Sequence, residues 1–226
     1  MARNLPKHIS GGLFISLEGG EGSGKSTLMG SIAGFLEQEG HDVLITREPG
    51  GPPIAEAIRG ILLDPANEAM DPLTELFLYL ASRRQNLIER IRPQLTEGGV
   101  VLSDRFADAS IAYQGGARGL GLERVDALNH EAIGDSVPDL TFFLDLDPGE
   151  GWRRGPASRS ANGGRGDRIE RETLDFHHRV RSAYREWADR HPDRIRVLDA
   201  SRSAIEVAEV QPLQERHIRV LAVGAL

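Results

Sequence analysis

The chain has 226 residues, 39% of them apolar and 27% charged, which is the composition of a folded globular protein with no sign of wholesale disorder. Its formal charge of −7 argues against non-specific binding to duplex nucleic acid, which needs a basic surface, and its lack of cysteine excludes disulfides and thiolate metal sites. The N-terminal stretch has no long apolar core before a small-residue cleavage site, and no window approaches the ~18 apolar residues of a membrane span. A cytoplasmic protein of one compact domain, residues 1–226, is therefore expected, with residues 1–11 a loose lead-in.

Five short β-branched or apolar runs recur along the chain, each closed by turn residues: 13–19, 42–51, 99–106, 140–148 and 194–201. Near-continuous apolar character suits strands covered on both faces. Between the first two runs, Leu28, Ile32, Phe35 and Leu36 share one face of a helix that Gly40 can end. Helical patterns follow over 54–63 and 73–95. Strands alternating with helices predict a parallel α/β sheet with right-handed crossovers. One segment departs from this pattern. Residues 152–171 carry six arginines among Gly, Ser, Asn and Pro, too polar to bury and suited to a lid at about 150–171. Helical periodicity returns from Glu172, and the residues after Pro212 carry no readable signal.

Gly19, four residues, then Gly24-Lys25-Ser26 match the spacing of a phosphate-binding loop, with an apolar run before it and an amphipathic helix after it. Glycines let several backbone N–H groups converge on one point, to which the helix N-terminus adds its dipole. Lys7 and Lys25 are the only lysines against 25 arginines. A compact ammonium reaches β- and γ-phosphate oxygens where a planar guanidinium would not fit. Residues Gly19, Gly20, Glu21, Gly22, Ser23, Gly24, Lys25, Ser26 and Thr27 form the expected nucleotide cradle, with the Ser26 hydroxyl placed for Mg²⁺.

Such a cradle serves kinases, switches and motors alike. A guanine-reading N-K-x-D motif is absent, and the chain is short for a motor. A small-molecule kinase needs a second anion site and a lid that excludes water. Arg47 and Arg105 end predicted strands, where open α/β sheets bind ligands, and the arginine-rich segment has the makeup of a lid.

The runs EGGEGSGKST, TREPGG, SRRQ, SDRF, AYQGGARG, PDLTFFLDL and DRIE, in this order over about residues 13–200, resemble the bacterial thymidylate kinases. The resemblance implies a three-layer α/β/α P-loop fold with a five-stranded parallel sheet. It also implies transfer of the ATP γ-phosphoryl group to dTMP with Mg²⁺, ATP and dTMP as partners, and a homodimer. Arg47 and Arg105 match positions that hold the acceptor phosphate, as the guanidinium fork suits. Asp104 matches a carboxylate that holds the hydrated Mg²⁺ with Ser26, and Glu21 and Glu48 sit beside the acceptor. Arg59 and Ser82 join the same side. Tyr79 and Arg83, four residues apart on one helical face, match the ring over thymine and the group toward its carbonyl. Ser110 and Gln114 match positions near the base, and Tyr113 the ring that crowds a ribose 2′-hydroxyl. Glu21 adds negative charge to the cradle, which a lid cation must offset. Arg153, Arg154, Arg159, Arg165 and Arg168 are the candidates, with Arg153 and Arg168 favoured. The chain departs from the pattern at Tyr79, where Phe is usual, and at Ala109, where Ser is common. The alternatives are a kinase for another deoxynucleoside monophosphate and a nucleotide-dependent switch. His177 and His178 lie on different helical faces and have no expected ligand role. Asp145 and Asp147 are read as ending a strand.

Overall fold

The computed structural model describes residues 12–154 and 166–202. Five strands, β1 (Leu13–Gly19), β2 (Val43–Arg47), β3 (Val100–Asp104), β4 (Leu140–Asp145) and β5 (Ile195–Asp199), form one all-parallel sheet in the order β2-β3-β1-β4-β5. The chain leaves β1 for the far edge and fills the gap with β3, so the order reverses beside β1. Its C-terminal end is where such sheets bind ligands.

Alternation along β1 sorts its residues between two layers. Leu13, Ile15 and Leu17 pack with Leu28, Ile32 and Leu36 of helix α1 (Lys25–Gln38). On the other face, Phe14 packs with Val101, Phe106, Leu87 and Ile91. That face also holds α6 (Leu122–Ile133) and α8 (Leu174–Arg190), whose Val125, Val180, Tyr184 and Trp187 share a core with Phe143 of β4. Helices α2 (Pro53–Leu63) and α3 (Pro72–Asn86) pack together, and Leu76 and Leu80 of α3 join the same core. Helix α3 runs through a π-helical turn, Leu87–Ile91, into α4 (Arg92–Thr96), as the pattern over 73–95 predicts. A second π-helical stretch, Ile111–Ala117, follows the short α5 (Ala107–Ser110). Helix α7 (Pro148–Arg154) leads into the expected lid, whose Arg159 and Arg165 lie outside the described residues.

Helix starts obey local chemistry. The Asp71 carboxylate accepts from the Leu73 and Thr74 amides, and the Thr173 hydroxyl from Phe176 N–H, capping α3 and α8. Gly24 takes up φ 92° at the start of α1, a conformation that a side chain would strain.

Candidate active site

A cleft of about 1050 Å³ opens at the C-terminal end of the sheet, lined by Glu21–Leu28 on one side and by residues of α2, α3 and the 104–114 segment on the other. Helix α1 begins within this wall, so the loop amides and the helix dipole face the same volume. Lys25 Nζ donates to the carbonyls of Gly19 and Gly20, at 3.0 and 2.9 Å, which holds its stem across the loop. Burial, helped by the nearby Arg105 charge, lowers this ammonium to about 8. An incoming polyphosphate favours the charged form and therefore gains from the site. The loop also packs against the lid stem: a Cβ on Gly22 would lie 2.5 Å from the Gly151 carbonyl of α7.

Among the expected acceptor residues, Glu48, Arg59, Tyr79, Arg83, Arg105, Ser110, Tyr113 and Gln114 all line the cleft with Asp104. Their places follow from α3. Glu75, Tyr79, Ser82, Arg83 and Asn86 recur at helical spacing and form a polar stripe toward the sheet. Arg83 is sealed: Nε donates to Glu48 Oε2 at 2.7 Å, Nη1 to Ser110 Oγ and Asn129 Oδ1, and Nη2 to the Phe106 carbonyl. Burial pushes the Glu48 carboxyl up, against the pull of Arg83. Burial also raises the Tyr79 hydroxyl, so it stays protonated. Gln114 Nε2 donates to Glu75 Oε1 at 2.7 Å. Burial alone would raise Glu75, but Arg118, Gln114 and Arg168 hold it below the ordinary carboxylate range.

Of the expected site residues, Gly19 and Gly20 stand behind the cleft wall, where their carbonyls hold Lys25, and Arg47, Ser82, Arg153 and Arg168 do not line it either. Arg47 ends an edge strand and turns its exposed fork to Glu56 of α2, with Nη2 3.1 Å from both carboxylate oxygens. Arg59, whose Nη1 donates to the Pro49 carbonyl at 2.7 Å, lines the cleft instead. Ser82 supports rather than lines it: its hydroxyl accepts from Gly50 N–H at 3.0 Å and steadies the 48–51 turn. Arg153 is exposed and does not line the cleft, whereas its neighbour Arg154 lines it while bonded to Glu150 and to the Ala200 and Ser201 carbonyls. Arg168 is buried. Its Nη2 lies 2.6 Å from Glu75 Oε2 and its Nε donates to the Leu62 carbonyl, so it docks the lid's return to α2 and α3. Residue pattern alone could not separate adjacent arginines in a loop.

Other site residues escaped the sequence reading. Glu18 sits inside β1, wholly buried, and Glu75 is the hub of the α3 stripe. The i, i+4 spacing of Glu75, Tyr79 and Arg83 was a readable signal for the second. His177 lines the cleft, and no cluster of three His, Cys, Asp or Glu able to hold a metal occurs among the described residues. The residues present suit a hydrated Mg²⁺ carried with phosphates: Asp104 Oδ1 is a buried oxygen with no hydrogen-bond donor, and Ser26 lines the same cleft. Asp145 ends β4 paired with Arg181 and Arg185, as expected of a structural residue.

A family model described as thymidylate kinase matches residues 17–211. The chain is 50% identical over 199 residues to a thymidylate kinase from Nitratidesulfovibrio vulgaris, covering 87% of this chain and 93% of that one. It is 48% identical over 192 residues to one from Bacillus licheniformis, covering 85% and 89%. The crystal structure of thymidylate kinase from Ehrlichia chaffeensis superposes with a TM-score of 0.68 at 31% identity, over 89% of this chain and 98% of that one.

Proposed function

The chain belongs to the thymidylate kinase family, and from that premise we propose that it transfers the γ-phosphoryl group of ATP to dTMP, giving dTDP and ADP. The observation that carries this reading is one cleft shared by a phosphate loop and an acceptor wall built of Arg59, Tyr79, Arg105 and Tyr113. Two anionic nucleotides can meet there end to end.

The loop amides and Lys25 bind the β- and γ-phosphates and draw charge off the leaving oxygen. Arg105 and Arg59 grip the acceptor phosphate and keep its oxygen in line. Tyr79 offers its ring to the base, Tyr113 crowds the sugar where a 2′-hydroxyl would lie, and Ser110 and Gln114 border the base. Arg154, on the loop's side near Ala200 and Ser201, is the lid-stem cation best placed to meet the triphosphate nucleotide. Glu21 faces the reacting region. Ser26 and Asp104 would hold a hydrated Mg²⁺, which would supply neutralisation of phosphate charge.

A homodimer accords with the large apolar side chains that α2 and α3 leave in solvent, Ile61 and Phe77 at 48% and 52% exposure. A cytoplasmic setting accords with a chain free of cysteine. No helix among the described residues is long and apolar enough to cross a membrane.

A coupled assay of ADP release tests the function. Release that depends on added dTMP, with little from dAMP, dCMP or dGMP, supports it. Preference for another monophosphate points to a different acceptor, and release without any acceptor to a switch.

A further inference from the structure

Among the described residues, Arg105 is the only non-glycine residue with positive φ, at 69°. An arginine held there is strained and persists only where its surroundings over-determine it. Three hydrogen bonds do so. Arg105 N–H donates to the Leu17 carbonyl at 3.0 Å, the Ser103 hydroxyl donates to the Arg105 carbonyl at 2.6 Å, and the next amide, Phe106 N–H, donates to Glu18 Oε1 at 2.7 Å. The third bond is unusual, because a side chain takes the place of a strand carbonyl. The β1–β3 register ends at Leu17 opposite Asp104, so the ladder offers Phe106 N–H nothing.

Glu18 is a costly way to supply that acceptor. It is fully buried on a strand covered on both sides, where an ionisable group is poorly tolerated unless bonded. Its second oxygen accepts from the Tyr184 hydroxyl at 2.7 Å, and the Tyr184 ring stacks on Phe143 with centroids 4.8 Å apart. A residue of α8 thus fixes the carboxyl that fixes the backbone of the 105–106 turn. Beyond the turn, Arg105 Nη2 approaches the Gly19 carbonyl at 3.3 Å and the Tyr113 hydroxyl at 3.4 Å, at the cleft wall. An apolar residue at position 18 would leave Phe106 N–H buried and unbonded, and the turn would lose its reason to stay left-handed.

We propose that Glu18, held by Tyr184, is a positioning residue: together with Ser103 it locks the backbone of Arg105 in the left-handed conformation that carries the guanidinium to the acceptor side of the cleft. This rests on the reading of Arg105 as a grip on the acceptor phosphate.

The test is a double-mutant cycle on kcat/KM for dTMP, corrected for the folded fraction by circular dichroism. Glu18→Leu is expected to lower kcat/KM by about tenfold or more, with KM for ATP little moved, because a misplaced reacting group is expensive in rate. In the Arg105→Ala background the same change should cost less than about threefold, since the residue through which it acts is gone. Glu18→Gln, whose amide oxygen can still accept from Phe106, should recover most of the loss. Equal losses in both backgrounds, or no loss from Glu18→Leu beside a damaging Arg105→Ala, overturn the inference alone. A harmless Arg105→Ala overturns both the grip and the inference. If Glu18→Leu does not fold, Ser103→Ala carries the same comparison with the same outcomes.

Discussion

Arg83 donates its Nε proton to Glu48 at 2.7 Å, and neither side chain reaches solvent. The pair joins α3 to the turn after β2. The guanidinium spends its other donors on Ser110, Asn129 and the Phe106 carbonyl, so it is a structural knot as well as a lining group of the cleft. Removing one member of a buried pair strands the other, at a cost of about 3–5 kcal/mol. Arg83→Ala should therefore lower the free energy of unfolding by that amount, and also raise KM for dTMP. Urea denaturation followed by circular dichroism measures it; a raised KM with unaltered stability would show that the knot has little weight. Arg83→Lys should not restore the loss, because an ammonium cannot span acceptors arranged for a planar fork.

Lys25 bridges two loop carbonyls and faces the cleft. Lys25→Ala should cut kcat by about 100-fold or more, as loss of a preorganised electrostatic donor does. Lys25→Arg should not rescue it, given the tight socket behind the loop. Turnover in the coupled assay decides the matter, with intact melting curves as the control.

Glu18 makes stability depend on pH in a particular direction. Burial, with the Asp108 charge nearby, pushes its carboxyl from 4.5 to about 8, against the hydrogen bonds from Tyr184 and Phe106 and the charge of Arg105. The folded protein therefore holds this proton more tightly than the unfolded chain. Its contribution is full below about 4.5 and is lost as pH rises toward about 8. Glu18→Gln, which has no proton to lose, should gain stability relative to the parent between pH 5.5 and pH 8, roughly 1.4 kcal/mol per pH unit at most. Denaturant midpoints of the two proteins at several pH values provide the check, and a difference that does not vary with pH would contradict it.

The lid-side arginines should separate by kinetics. Arg154 lines the cleft, Arg153 does not, and Arg168 is tied to Glu75. Arg154→Ala should raise KM for ATP about tenfold, the value of a hydrogen bond to a charged group, and leave KM for dTMP within about twofold. Arg153→Ala should be nearly silent. Arg168→Ala should instead lower stability by about 3 kcal/mol, because it uncovers a buried carboxylate. Steady-state kinetics with thermal melts for all three variants would reverse this assignment if Arg168→Ala lost turnover without losing stability.

Sequence alone determined the parts that depend on local pattern. Apolar runs covered on both faces, alternating with helical stripes, specified a five-stranded parallel sheet, and strand, loop and helix around Gly19–Ser26 specified a phosphate cradle. Tyr79 and Arg83 were legible together because helical spacing is a local rule. What depends on partners distant in the chain was decided only by the fold. Arg47 turns away because Glu56 lies within reach of its fork, and Arg168 is buried because α3 presents Glu75 to it. Glu18 was one residue of the run 13–19 with no assigned role until the sheet set it beneath Phe106 and against Tyr184, 166 residues away along the chain. An arginine's charge is written in its residue type, but its direction is set by the nearest carboxylate, and only tertiary packing decides which carboxylate that is.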